Sequence, residues 1–123
     1  MAITRSTTAT ALAGTLVVDL VANAGIKNNV TGNTSGRIYL VDIDNTANTT
    51  DSVYLRIADA ASIGSVASDH TWMFYAPAGQ RLSYAIQEGA LYAAGVTTWC
   101  TSNPASGNGT APTSSVVVRL VAS

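Results

Sequence analysis

Apolar residues recur at every second position in short runs along this chain, and the stretches between runs hold glycine, proline, asparagine or aspartate. A period of two is the signature of strands. Eight runs qualify: Ile3 to Thr10, Thr15 to Ala22, Arg37 to Asp44, Ser52 to Ala58, His70 to Ala76, Gln80 to Ile86, Val96 to Thr101 and Ser114 to Ala122. The first is weak and rich in threonine, so it reads as a strand or as an arm. In the second, Leu16, Val18 and Leu20 share a face. In the third, Ile38 and Leu40 face away from Tyr39, Val41 and Ile43. In the fourth, Val53, Leu55 and Ile57 oppose Tyr54 and Arg56, and in the last, Val116, Val118 and Leu120 oppose Val117, Arg119 and Val121.

Between the runs lie loops with turn chemistry. Residues 23–36 hold Gly25, Gly32 and Gly36 among asparagines, and 45–51 form a polar stretch that predicts a hairpin loop. Residues 59–69 are small and irregular, with room for a helical turn. Pro77-Ala78-Gly79 predicts a tight turn with proline in its second position and glycine where φ exceeds zero. Residues 102–113 read as an exposed loop.

Eight short antiparallel strands without a convincing helix predict an all-β domain. A jelly-roll-like β-sandwich is the expected form, spanning 1–123, with 1–14 as a candidate docking arm. At 12.6 kDa, area scaling buries roughly two-thirds of the unfolded surface, enough for a core without disulfide staples. Several strands are apolar on both faces, notably 39–43 and 116–121. One outer face is therefore expected to be covered, and self-association is the economical cover.

Composition sharpens this picture. Charged residues make up 11% of the chain, net charge is −1, and lysine and glutamate are reduced to Lys27 and Glu88. That argues against a nucleic-acid or anionic-membrane partner, which needs a concentrated basic field. The surface chemistry comes instead from 16 threonines and 12 serines. Hydroxyls are buried against a neighbour at lower cost than ammonium or carboxylate groups, so the expected partner is protein. The apolar stretch within Ala9 to Ala24 resembles a leader, with Ala22-Asn23-Ala24 in an A-x-A form. Asp19 interrupts it, so an unprocessed, non-secreted chain is expected.

Candidate chemistry is sparse. Asp69-His70 is the one start of a hydrolase triad. Adjacent strand positions point to opposite faces, and no G-x-S-x-G elbow is present, so no catalytic residue is assigned. Asp42, Asp44 and Asp51 form the densest acidic cluster. They are weak candidates for a hard cation such as Ca²⁺, with a structural turn as the favoured reading. Cys100 reads as a small buried hydrophobe, and alone it forms neither an intrachain disulfide nor a Cys-rich zinc site. Trp72, Phe74, Tyr75, Tyr84 and Trp99 are able to stack on sugars but more often fill a core or an interface. The four N-x-[ST] sequons, at Asn29, Asn33, Asn48 and Asn108, are what Asn/Thr-rich loops produce by chance. No cofactor is expected. Ile3, Arg5, Trp72, Phe74, Tyr75, Val117 and Arg119 are the candidate interface residues.

Three segments together carry a resemblance. They are Arg37 to Asn48 with Ser52 to Ile57, Ala76 to Gln80 leading to Glu88 to Gly95, and Thr110-Ala111-Pro112 before the last valine-rich strand. In these the chain resembles small structural proteins in the virions of tailed bacteriophages. The resemblance implies a β-sandwich without enzymatic activity, located in the virion. The expected role is a decoration or cement protein on the capsid exterior, with a trimer favoured, that stabilises the head by binding major capsid subunits. Neck, tail or baseplate components are the alternative, and a carbohydrate-binding adhesin module stands behind both. No catalytic motif is carried over.

Overall fold

In a computed structural model, residues 3–5, 14–66 and 70–123 are described. Among them are eight strands and no helix. The strands are β1 (Ile3–Arg5), β2 (Thr15–Ala22), β3 (Gly36–Asp44), β4 (Val53–Asp59), β5 (Trp72–Ala76), β6 (Arg81–Tyr92), β7 (Val96–Thr101) and β8 (Val116–Ala122). They form a five-stranded sheet in the order β1-β2-β8-β3-β6 and a three-stranded sheet in the order β5-β4-β7, with every pairing antiparallel.

The pairing is that of a long hairpin rolled on itself. Strand β2 pairs with β8, β3 with β6 and β4 with β5. The fourth rung is made by the segment after β2, which follows β7 without becoming a regular strand. Lys27 and Thr98 exchange both backbone bonds (2.9 and 3.0 Å), Val30 N donates to Val96 O, and Cys100 N donates to Asn23 O. This winding is the jelly roll, with its second strand reduced to a bridge. The all-β sandwich expected from the sequence is the fold.

The core lies between the sheets, where one residue in two points inward: Val17 from β2, Val41 and Ile43 from β3, Leu55 and Ile57 from β4, Cys100 from β7, Val118 and Leu120 from β8. Tyr92 closes one end, its hydroxyl donating to Ser123 O at 2.7 Å. An ion pair also lies inside. Asp19 faces inward opposite Val118, is 4% exposed, and accepts from Lys27 Nζ at 2.7 Å.

Four expectations need correction. The 45–51 stretch is not a hairpin loop, because β3 and β4 belong to different sheets and the loop crosses the sandwich. Ile38 does not share a face with Leu40. The register shifts between them, so Ile38 joins Val41 and Ile43 in the core. The strand beginning near Gln80 does not stop at Ile86. A bulge carrying Gly89 at φ 78° lets it run on to Tyr92. In the turn after β5, Gln80 N donates to Pro77 O at 3.2 Å, so Pro77 is the first position, with Gly79 third at φ 72°. The helical turn weighed for 59–69 is not found among its described residues, and 67–69 fall outside them. Of the Ile3 to Thr10 candidate, Ile3–Arg5 is an edge strand on β2, and residues 6–10 fall outside.

Candidate functional site

The outer face of the five-stranded sheet is the surface whose chemistry is least explained by the fold itself. Strand alternation and register build it in rows. One row reads Leu16, Val121, Leu40, Ala85 across β2, β8, β3 and β6. The next reads Thr4, Val18, Arg119, Asp42, Ser83, and a third holds Val117, Asp44 and Arg81. Leu16, Val18, Leu40 and Val117 are half-buried. Val121 is buried although it lies outside the intersheet core cluster.

A charged knot sits in the middle of this apolar field. Asp42 is 4% exposed. It accepts from Arg81 Nε on both oxygens at 3.1 Å, from Arg81 Nη2 at 2.9 Å and from Ser83 Oγ at 2.6 Å, with Arg119 Nη1 at 3.5 Å. Burial would raise the Asp42 carboxyl. The bonds from Arg81 and Ser83, with the charges of Arg81 and Arg119, outweigh burial and hold it below its ordinary value. The two arginines are thus partly neutralised on the sheet.

The other two acidic candidates also fasten the fold. Asp44 lies on the same face as Asp42, as the alternation predicts, but its Oδ1 accepts from Thr46 Oγ1 and Thr46 N. Asp51 accepts from Thr113 N and Oγ1 at 2.8 and 2.6 Å, tying the β3–β4 crossover to the segment before β8. These bonds lower both carboxyls. Among the described residues no group of three or more His, Cys, Asp or Glu side chains could hold a metal. Asp59 is similarly engaged, accepting from the backbone amides of Ala93, Ala94 and Gly95.

Beside Asp51, Asn45 and Asn48 form a buried amide network that sequence reading passed over as loop. Asn45 Nδ2 donates to Asp51 O at 2.8 Å and Pro77 O at 3.0 Å. Its Oδ1 accepts from Asn48 Nδ2, which also reaches Ser114 O, while Ser114 N donates to Asn48 Oδ1. Three crossover loops are joined at that end of the sandwich. The signal was the pair of asparagines three residues apart with apolar strands on either side.

The interface candidates fall into three groups. Val117 and Arg119 lie on the outer face just described. Ile3 and Arg5 face inward from β1, where they line a gap of about 270 Å³ with Lys27 and Asn29. Trp72 and Phe74 are half-buried against the core at the β5 edge, where Phe74 packs on Tyr84 at 5.2 Å, and Tyr75 is exposed. The aromatic set is divided, because Trp99 is 1% exposed on the outer side of the three-stranded sheet. Cys100 is fully buried, and burial pushes its thiol up to about 12. His70 is half-buried, and Asp69 lies outside the described residues, so their relation is not described.

Comparison with protein-family models, with curated proteins and with solved structures returns no match.

Proposed function

We propose that the chain is a non-enzymatic structural protein of a virion, a decoration protein that assembles as a trimer and binds major capsid subunits on the shell exterior. The observation that carries this reading is the outer face of the five-stranded sheet. It combines half-buried Leu16, Val18, Leu40 and Val117 with an arginine–aspartate knot whose charge is largely internal. Such a face loses little on desolvation and gains from apolar contact, so protein suits it better than a charged polymer. The engagement of Asp19, Asp42, Asp44, Asp51 and Asp59 in fastening the fold supports the non-enzymatic reading, since a general acid or base must be free to reach a substrate. The jelly roll, used by many shell proteins and also by lectins, is consistent with this role but does not assign it. Sugar stacking on the aromatic set is disfavoured by the enclosure of Trp99.

Quantitative mass spectrometry of purified particles tests the proposal. A copy number on the order of hundreds, set by shell symmetry, is expected. A few dozen or fewer would move the chain to the neck, tail or baseplate, and absence from particles would overturn the virion role altogether.

A further inference from the structure

Strand β6 ends the five-stranded sheet, and the phase of its pairing with β3 shows which of its backbone groups lack a neighbour. Asn45 N donates to Gln80 O at 2.9 Å, which makes Asn45 and Gln80 a hydrogen-bonded pair. Bonded and non-bonded pairs alternate along an antiparallel ladder. Ile43 with Leu82 and Val41 with Tyr84 are therefore bonded pairs. Arg81, Ser83 and Ala85 stand opposite Asp44, Asp42 and Leu40 in the non-bonded pairs, so their N–H and C=O groups turn away from β3. All three residues are exposed, and among the described residues no strand lies beyond them. The open edge runs from Arg81 to the register shift after Ala85.

Neighbouring edges are blunted where this one is not. At the far side of the same sheet β1 is three residues long. On the edge strand of the other sheet, Tyr75 O accepts from the Tyr84 hydroxyl. Proteins commonly protect an open edge with lysine or proline, and the run Arg81 to Ile86 contains neither. Its single charge, on Arg81, is turned aside to Asp42, with Nη2 at 2.9 Å.

We propose that β6 pairs antiparallel with β6 of a second copy of this chain, about a two-fold axis at Ser83. In that register Ser83 faces its own copy, Arg81 faces the partner's Ala85, and Leu82 faces the partner's Tyr84. Every outward position meets an outward position, which forms about six backbone bonds, two for each opposed pair. Half-buried Leu82 and Tyr84 carry the core across the junction. The neighbouring registers are worse. An axis at Arg81 opposes two guanidinium groups, which is destabilising, and an axis at Ala85 drives Arg81 into the partner's bulge. The edge is thus complementary to itself, as a closed two-fold contact requires. The inference does not rest on the virion reading.

Sedimentation equilibrium of the full chain tests it, comparing wild type with Ala85→Asp and Ala85→Lys. Ala85 is exposed, so both variants are expected to fold. Each places its charge opposite the partner's Arg81, twice per pair of copies. Association is expected to tighten with Asp and weaken with Lys, by roughly 2–30-fold in each direction. The Ser83 and Ala85 amides are expected to gain protection from hydrogen exchange as concentration rises, while those of Leu82 and Tyr84 are protected throughout. One mass for all three proteins, or a shift in the same direction for both variants, would overturn the proposal. Protection of Ser83 and Ala85 that appears only when a different strand is bound would give the edge to another protein and overturn self-pairing equally.

Discussion

Replacing Asp42 by Asn removes the carboxylate that pairs directly with two arginines on the five-stranded sheet while keeping the side chain's shape. The Asp42 side chain is 5% exposed, but its partners reach solvent: Arg81 is 51% exposed and Arg119 is 32% exposed. A hydrogen bond to a charged group contributes about 1.5–3 kcal/mol, and solvent access of the partners argues for the lower end. A loss of about 2 kcal/mol is therefore expected for Asp42→Asn, which lowers the melting temperature of a domain this size by roughly 6–10 °C. The pH dependence supplies a second readout. The folded-state carboxyl is held below its ordinary 3.8. Its contribution is therefore fully present above the unfolded value and fades as pH falls through the folded one. Wild type and variant should differ by a constant amount from pH 7 to about pH 5, and the gap should close below about pH 4. Urea titrations followed by circular dichroism measure both quantities. A difference under about 0.5 kcal/mol at pH 7, or one that persists unchanged at pH 2–3, would refute the assignment of the knot as a stabilising ion cluster.

Other substitutions probe the remaining joints. Asn45→Ala should cost about 2–4 kcal/mol, because the Asp51 and Pro77 carbonyls lose a buried donor, and a chemical-denaturation loss below about 1 kcal/mol would contradict that network. Gly89→Ala places a Cβ 2.7 Å from that of Arg37 at a φ of 78°, and should lower stability by at least about 1 kcal/mol, whereas an unchanged melting temperature would show that the bulge is misassigned. Cys100 should react with a thiol reagent only after unfolding, given its burial and a thiol pushed up to about 12; rapid native-state labelling at pH 8 would contradict the enclosed core position.

Strand periodicity made much of the fold legible. Bounds such as Thr15 to Ala22 and Val96 to Thr101 follow from alternation and turn residues, and eight short strands in one small domain point to a sandwich. What alternation alone misses is a change of phase. The register shift between Ile38 and Leu40 reverses the inward face of β3, and no residue type there announces it. Alternation from Gln80 lapses after Ile86, so the strand reads as ending there, yet Gly89 at positive φ carries a bulge that keeps β6 going. Whether a connection is a hairpin or a crossover depends on which sheet each flanking strand joins, so 45–51 carries turn chemistry that fits either. The outer face was partly legible: Val117, Val121 and Arg119 stand opposite the core positions of β8 in any strand reading. Their union with Leu16, Leu40 and Asp42 needs the β2-β8-β3 order, which is a property of topology. Arg56 and Trp99 were less accessible still, since their burial depends on a loop folding back over the sheet.

The decisive measurement is a density map of the native particle at side-chain detail. Leu16, Leu40 and Val117 are expected to be buried against neighbouring protein on the shell, with Arg119 still paired to Asp42. A map showing the outer face of the five-stranded sheet open to solvent, while another surface of the chain makes the contacts, would contradict it.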